Sequence, residues 1–321
     1  MDIVACFDSG FVMPTGVMMY SVCMNNKDVD IVFHLIVDES VSERDKIDLE
    51  KNISTFKGKK VSFYSVDSRR FQNLPALSSQ SHLTQASYYR LVLSEILPQE
   101  LDKVLYLDGD IVIRKSLLPL WNTNLTGYAI AAAESVASGY MPYYNRLKYP
   151  PHLGYFCSGV LLVNLAYWRT HEVTKSFNTY MRNHASDILC HDQDVLNVVF
   201  CNKKLILPIK YNLTHYFLLN KPFFDLERFE KQLLQARVDP VVVHYTGDKP
   251  WFYCRYHNPY ESLFHKIKSK TIWKDVPIKD KRPLVLRLRH FIADMMRRMG
   301  MWPQLPKIFI DLPILTDIQK Q

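Results

Sequence analysis

No Cys-x-x-C pair occurs among the six cysteines, Cys6, Cys23, Cys157, Cys190, Cys201 and Cys254. Their scatter excludes a zinc ribbon and a disulfide-stapled scaffold, and fits buried thiols in a reducing compartment. No uncharged run reaches the roughly 18 residues that a membrane-spanning helix needs. Met1 leads directly into the apolar run Asp2–Phe7 with no basic stretch before it, so no secretory signal is expected. The Asn-x-Ser/Thr triplets at Asn52, Asn124 and Asn212 then carry no expectation of glycosylation. No internal repeat, low-complexity segment or helix-turn-helix pattern stands out. A composition 48% hydrophobic and 22% charged excludes bulk disorder.

What is present begins with the placement of charge. The formal net charge of the 321-residue chain is +8. Residues 266–321 hold 13 Lys/Arg against 5 Asp/Glu, and the preceding 265 residues hold 27 of each sign. The body is therefore neutral, and the whole excess sits in the tail. Nucleic-acid binding would call for basic residues interleaved with aromatic platforms across the body, so no nucleic-acid partner is expected. Within the tail, Leu284, Leu288, Phe291, Ile292, Met295 and Met299 fall at helical spacing, with Arg287, His290, Asp294, Arg297 and Arg298 mostly opposite. That is a basic amphipathic helix, suited either to a membrane surface or to packing on the body. Lys274–Pro283 before it reads as a linker.

The first 110 residues alternate strand and helix patterns. Asp2–Phe7, Ile31–Val37, Val61–Val66 and Lys103–Leu107 read as strands. Pro14–Asn25, Ser42–Phe56 (Ser42 as N-cap) and Thr84–Leu97 read as helices. Repeated βα units imply an α/β fold with a mainly parallel sheet. Further on, Tyr128–Ala133, Gly159–Asn164 and Val241–His244 read as strands. Tyr167–His184, Gln193–Phe200 (Asp192 as N-cap) and Pro259–Lys268 read as helices.

Four segments carry candidate chemistry. The strand Lys103–Leu107 ends in Asp108-Gly109-Asp110, and residues two apart on an extended chain point to the same side. Asp108 and Asp110 can share a hard cation such as Mn²⁺ or Mg²⁺, with Gly109 allowing close approach; Asp-Gly is equally a strong turn dipeptide. The strand Val241–His244 delivers His244 to a loop with Gly247 and Lys249, a third metal ligand beside a phosphate-binding amide and a point charge, or a plain structural histidine. Asp192 and Gln193 pair a carboxylate with a carboxamide, as a polyhydroxyl ligand requires, or simply start a helix. Arg90, on the segment before the Asp-x-Asp strand, either bridges its carboxylates to a diphosphate or lies on the surface.

In this order and spacing, the four elements resemble glycosyltransferase family 8, which contains bacterial lipopolysaccharide galactosyl- and glucosyltransferases and glycogenin. The resemblance spans about residues 1–265. It implies a GT-A-like single nucleotide-sugar-binding domain with a mixed, mainly parallel sheet, followed by the basic helical tail of residues 266–321. It implies UDP-sugar contacts from Cys6, Asp8 and Phe11 at the end of the first strand, and from Arg90, Asp108, Gly109, Ser158, Gly247 and Lys249. The metal ligands it implies are Asp108, Asp110 and His244, holding Mn²⁺ or Mg²⁺. Asp192 and Gln193 stand beside the reacting sugar, and His82 falls on the acceptor side. The chain departs from the family pattern at Cys157-Ser158-Gly159, where a thiol replaces a carboxamide, and at Phe11, where a tyrosine hydroxyl is lost.

The expected activity is transfer of galactose or glucose from a UDP-hexose to a saccharide or glycolipid acceptor, with retained configuration, in lipopolysaccharide or other surface-glycan assembly. Retention is compatible with a covalent intermediate or with front-face attack. The expected location is cytoplasmic, peripheral on the inner face of the cytoplasmic membrane, held by the tail against anionic lipid. Removing residues 283–321 is then expected to release the protein from vesicles and spare donor hydrolysis. The alternatives are a non-catalytic nucleotide-binding protein with a basic arm and a metal-dependent phosphohydrolase.

Overall fold

The computed structural model describes residues 1–71, 85–254 and 256–312; His82 lies outside the described residues. In chain order the strands are β1 (Asp2–Phe7), β2 (Ile31–Val37), β3 (Lys59–Ser65), β4 (Lys103–Leu107), β5 (Ile111–Ile113), β6 (Ile130–Glu134), β7 (Phe156–Asn164), β8 (Lys204–Leu207), β9 (Leu213–Thr214) and β10 (Val242–His244). Seven form one sheet in the order β3-β2-β1-β4-β7-β6-β8, and three form a smaller sheet, β5-β10-β9. In the large sheet the ladders β1–β2, β2–β3, β1–β4 and β6–β8 are parallel, while β7 runs antiparallel to both β4 and β6. The mixed, mainly parallel sheet expected from the sequence is present.

The apolar runs of β1 and β2 are explained by burial on both faces. Alternation splits β1 between two cores. Ile3, Ala5 and Phe7 join one cluster with the helices Val12–Asn25 and Glu43–Ile53, and Val4 and Cys6 join the other, around Tyr106, Trp168 and Phe177. Ser42 caps Glu43–Ile53 as expected: its hydroxyl accepts from Asp45 N, and its own N–H donates to the Asp45 carboxylate. Such a box is worth about 1 kcal/mol. Chain order reverses at β1. Successive strands β2 and β3 lie on one side of it and β4 on the other, so a crevice opens beyond the carboxyl ends of β1 and β4, where α/β sheets bind ligands.

Three expected elements take a different form. The span Tyr167–His184 is two helices, Leu165–Thr170 and Val173–Asn183, separated at Glu172, which adopts a left-handed φ of 46°. The described part of Thr84–Leu97 is a 3₁₀ segment, Gln85–Val92, with one α-helical turn at Leu93–Ile96. The helix placed at Gln193 begins at His191, so Asp192 lies in its first turn and caps nothing.

The stretch read as a linker is tied to the body. Just before it, a side chain at Gly16 would put its Cβ 2.0 Å from the Trp273 ring; within it, Lys274 O and Val276 O accept from the buried Lys268 ammonium. Lys279 donates to Trp251 O and accepts from Tyr253 N. The amphipathic helix forms over Leu284–Arg298 and buries none of its residues. No helix among the described residues is long and apolar enough to cross a membrane.

Candidate active site

The crevice is furnished by three chain ends. At the end of β1, Asp8 Oδ1 accepts from Gly10 N at 2.9 Å, turning the chain into a helix, and Phe11 meets Trp251 edge-to-face with centroids 5.7 Å apart. At the end of β4, the Asp108–Asp110 turn carries the chain out of the large sheet into β5. Gly109 is required there by the protein itself, since a Cβ would lie 2.5 Å from Thr15 Oγ1. β5 then pairs with β10, setting Ile111 opposite His244, and Tyr245 N donates to Asp110 O at 2.9 Å. The small sheet is what carries a histidine 134 positions downstream to the Asp-x-Asp turn.

Ligand atoms of Asp108, Asp110 and His244 all lie within 4.8 Å of one another. His244 Nε2 is 3.1 Å from Asp110 Oδ1 and 3.7 Å from Asp108 Oδ2. Its Nδ1 donates to Asn212 Oδ1 at 2.8 Å, which fixes the ring and turns Nε2 toward the carboxylates. Gly159 completes the fit: a Cβ there would stand 2.2 Å from His244 Cε1 and 2.7 Å from Asp108 Oδ2. Two carboxylates and one imidazole, with room kept clear beside them, suit a divalent cation of the Mn²⁺ or Mg²⁺ type. Burial works against charge on His244, yet Asp110 beside it lifts the imidazole to about 10. Burial likewise opposes charge on Asp110, but Lys249 and His244 hold its carboxyl well below the usual range.

A second network joins this cluster to Asp192. Arg90 is buried, not on the surface. Its Nη2 donates to Asp108 Oδ1 at 2.8 Å and its Nη1 to Ser158 O at 2.7 Å, while Nε stands 3.2 Å from Asp192 Oδ2. The guanidinium lies 4.3 Å from the Tyr106 ring centroid, and the Tyr106 hydroxyl donates to Asp108 at 2.8 Å. Burial pushes the Asp192 carboxyl up to about 6; Arg90 opposes that rise and Asp108 adds to it. Gln193 Oε1 accepts from Ser158 N at 3.0 Å, and its amide donates to the Tyr155 hydroxyl at 3.1 Å. Lys249 Nζ sits on Asp110 Oδ2 at 2.5 Å and donates to Tyr245 O at 2.7 Å.

The expected residues divide between two adjoining cavities. Asp8, Phe11, Gly247 and Lys249 line one of 810 Å³, and Arg90, Asp108, Asp110, Ser158, Asp192, Gln193 and His244 line one of 460 Å³. Tyr216, Thr246 and Lys249 wall both. Cys6 and Gly109 line neither cavity; Cys6 is buried, and burial pushes its thiol well above the usual range. Cys157, where the family pattern carries a carboxamide, lines the smaller cavity with its sulfur 4.0 Å from His244 Nδ1.

Four residues that sequence reasoning did not place hold the site in shape. Asn212 orients His244. Asp194, fully buried, accepts from Arg146, Tyr155 and the backbone of Leu189 and Cys190, and so fixes the turn that presents Asp192 and Gln193. Tyr155 also receives the Gln193 amide. His215 packs against Gly247, where a Cβ would lie 2.5 Å from its ring, and bonds Thr246 at 2.8 Å. Burial, then Lys249 and His244, push its imidazole down to about 4, so it stands neutral at physiological pH.

The family model described as Glycosyl transferase family 8 matches residues 2–255. General stress protein A of Bacillus subtilis is 26% identical over 280 residues, covering 86% of this chain and 96% of that protein. A lipopolysaccharide 1,2-glucosyltransferase of Escherichia coli is 29% identical, covering 85% of this chain and 79% of its own. A lipopolysaccharide 1,3-galactosyltransferase of Salmonella typhimurium is also 29% identical, over 83% and 77%. Among solved structures, the galactosyltransferase LgtC in complex with donor and acceptor sugar analogs superposes with a TM-score of 0.75 at 26% identity. It covers 90% of this chain and 100% of that one.

Proposed function

The chain belongs to glycosyl transferase family 8, and from that membership we propose that it moves galactose or glucose from a UDP-sugar to a saccharide acceptor in lipopolysaccharide or related surface-glycan assembly, with retained configuration. The single observation that carries the donor reading is the Asp108–Asp110–His244 cluster, which lines the smaller cavity beside the shared wall residue Lys249, with His244 Nε2 turned toward both carboxylates by Asn212. The lipopolysaccharide reading rests on the glucosyl- and galactosyltransferase relatives.

Asp108, Asp110 and His244 would hold Mn²⁺, which supplies Lewis-acid charge against a diphosphate. The protein's own groups do the rest. Asp8 and Phe11 take the uracil in the larger cavity. Lys249, on the wall common to both cavities, and the Gly247 backbone, in the larger one, serve the diphosphate. Arg90 ties Asp108 to Asp192, so the diphosphate end and the sugar end of the site keep a fixed spacing. Asp192 presents a carboxylate, and Gln193 a carboxamide anchored by Ser158 and Tyr155, to the hexose in the smaller cavity.

The tail adds a place of work. On Leu284–Arg298, Leu284, Val285, Leu288, Phe291, Ile292, Met295 and Met299 are all exposed along one stripe, and Arg287, Arg289 and Arg298 are exposed beside it. An apolar stripe edged by arginines matches an anionic lipid surface, which supports a peripheral position on the cytoplasmic membrane beside a glycolipid acceptor. A panel of nucleotide-sugars scored for donor hydrolysis tests the activity. With Mn²⁺, UDP-galactose or UDP-glucose should be turned over and GDP- and ADP-sugars should not. Phosphate release without nucleotide selectivity would overturn the proposal.

A further inference from the structure

The segments on either side of the amphipathic helix both return to the larger cavity. Before the helix, Lys279 is bonded to Trp251 and Tyr253, and Lys281 lies 3.7 Å over the Phe252 ring centroid. After it, the chain folds back: Asn220 N donates to Ile308 O at 2.8 Å and Ile310 N to Leu218 O at 3.0 Å. Phe309, between those two bonds, packs on the core that holds Trp251. Lys281, Ile308 and Phe309 line the same cavity as Asp8, Phe11 and Lys249. The arm thus contributes wall to a site whose other residues all precede position 262.

The charge of that wall matters. A nucleoside diphosphate is anionic, while the body is electrically neutral. Of the two lysines lining the cavity, Lys249 is engaged by Asp110 at 2.5 Å. Lys281 is exposed, among the described residues it is paired with no carboxylate, and its ammonium lies over the Phe252 ring. A lysine whose ammonium rests over an aromatic ring and meets no carboxylate among the described residues is placed to meet an anion entering the cavity.

We propose that the C-terminal arm is part of the nucleotide-sugar site, with Lys281 supplying positive charge and Phe309 an apolar wall to the bound nucleoside diphosphate. This rests on the reading of the cavity as the donor site. It also revises the expectation that removing residues 283–321 spares donor turnover: that deletion takes away Phe309 along with the lipid-facing helix.

The test is calorimetric titration of UDP with Mn²⁺, without lipid, into the full chain and three variants. Lys281→Met, which keeps the stem and removes the charge, should raise the Kd for UDP about five-fold or more, with KM for the UDP-sugar rising further than kcat falls. Phe309→Ala should raise Kd in the same direction. Leu288→Glu combined with Ile292→Glu, on the helix and away from the cavity, should bind UDP within about two-fold of wild type. Should Phe309→Ala melt early, Lys281→Met carries the test alone, because its side chain is exposed. Wild-type binding together with an unchanged Kd in Lys281→Met overturns this inference and leaves the donor reading standing. A wild-type protein that ignores UDP overturns both.

Discussion

The catalytic cleft and the C-terminal arm treat charge and apolar surface in opposite ways. In the cleft, Arg90, Asp110, Asp192 and His244 are 5%, 7%, 4% and 3% exposed, and each is ion-paired to another. On the arm, Val285 and Phe291 are 78% and 68% exposed while the neighbouring arginines reach solvent. Burying ionised groups costs several kcal/mol each and is recovered only through close pairing. Leaving a row of large apolar side chains in water forgoes about 25 cal/mol per Å². Neither arrangement helps this chain fold alone. Each would become favourable with the partner proposed for it, a cation and an anionic sugar donor in one region, a lipid surface in the other.

The comparison can be broken first at the cluster. Asp108→Asn should lower transfer by about a thousand-fold and leave the far-UV circular dichroism intact; near-wild-type turnover would remove Asp108 from the site. Next comes its support. Asn212→Leu frees the His244 ring without touching a ligand atom, and should weaken Mn²⁺ binding by about 10–100-fold. An unchanged Mn²⁺ titration would mean that the ring is held by its packing instead.

Asp192 sharpens the contrast through pH. Its carboxyl is raised to about 6, so it is neutral below that pH and charged above it. If the charged form serves the sugar, kcat/KM should fall about tenfold per pH unit below 6, and Asp192→Asn should lose this limb. The stability sign runs the other way. A folded-state pKa above the unfolded value means that stability is full below about 4 and is lost as pH rises through 6. Asp192→Asn should therefore match or exceed the wild-type Tm at pH 7. A drop of several degrees would show that the Arg90 ion pair outweighs the burial. On the arm the effects are smallest. Leu288→Glu with Ile292→Glu should cut partitioning onto anionic vesicles about tenfold while donor hydrolysis in solution stays within two-fold. Equal vesicle binding would refute the lipid contact.

Much of this was legible in the sequence, and what was not has two causes. The bounds of β1, β2 and β4 follow directly from their largely apolar runs, because strands buried on both faces carry few polar residues. Asp108, Asp110 and His244 were legible because each lies at or beside a strand end, where side-chain direction is constrained. Asn212 and Asp194 were not. Their roles depend on partners 32 and 48 residues away, across segments whose packing no local pattern encodes. The break at Glu172 was missed for the opposite reason: helical composition runs straight through it, and only a left-handed backbone angle separates the two helices. The arm was legible as an amphipathic helix. Its return to the cavity at Phe309 depends on a single pair of backbone bonds with Leu218 and Asn220.

The proposed donor site is a divalent-cation centre for a UDP-sugar, built from Asp108, Asp110 and His244. It is tested most directly by titrating UDP into the wild-type chain and into Asp110→Asn, each with Mn²⁺ and with EDTA. The account predicts tight binding by the wild type with Mn²⁺ alone, at least tenfold weaker with EDTA, and weak binding by Asp110→Asn under both conditions. UDP affinity that is the same in all four titrations would contradict it.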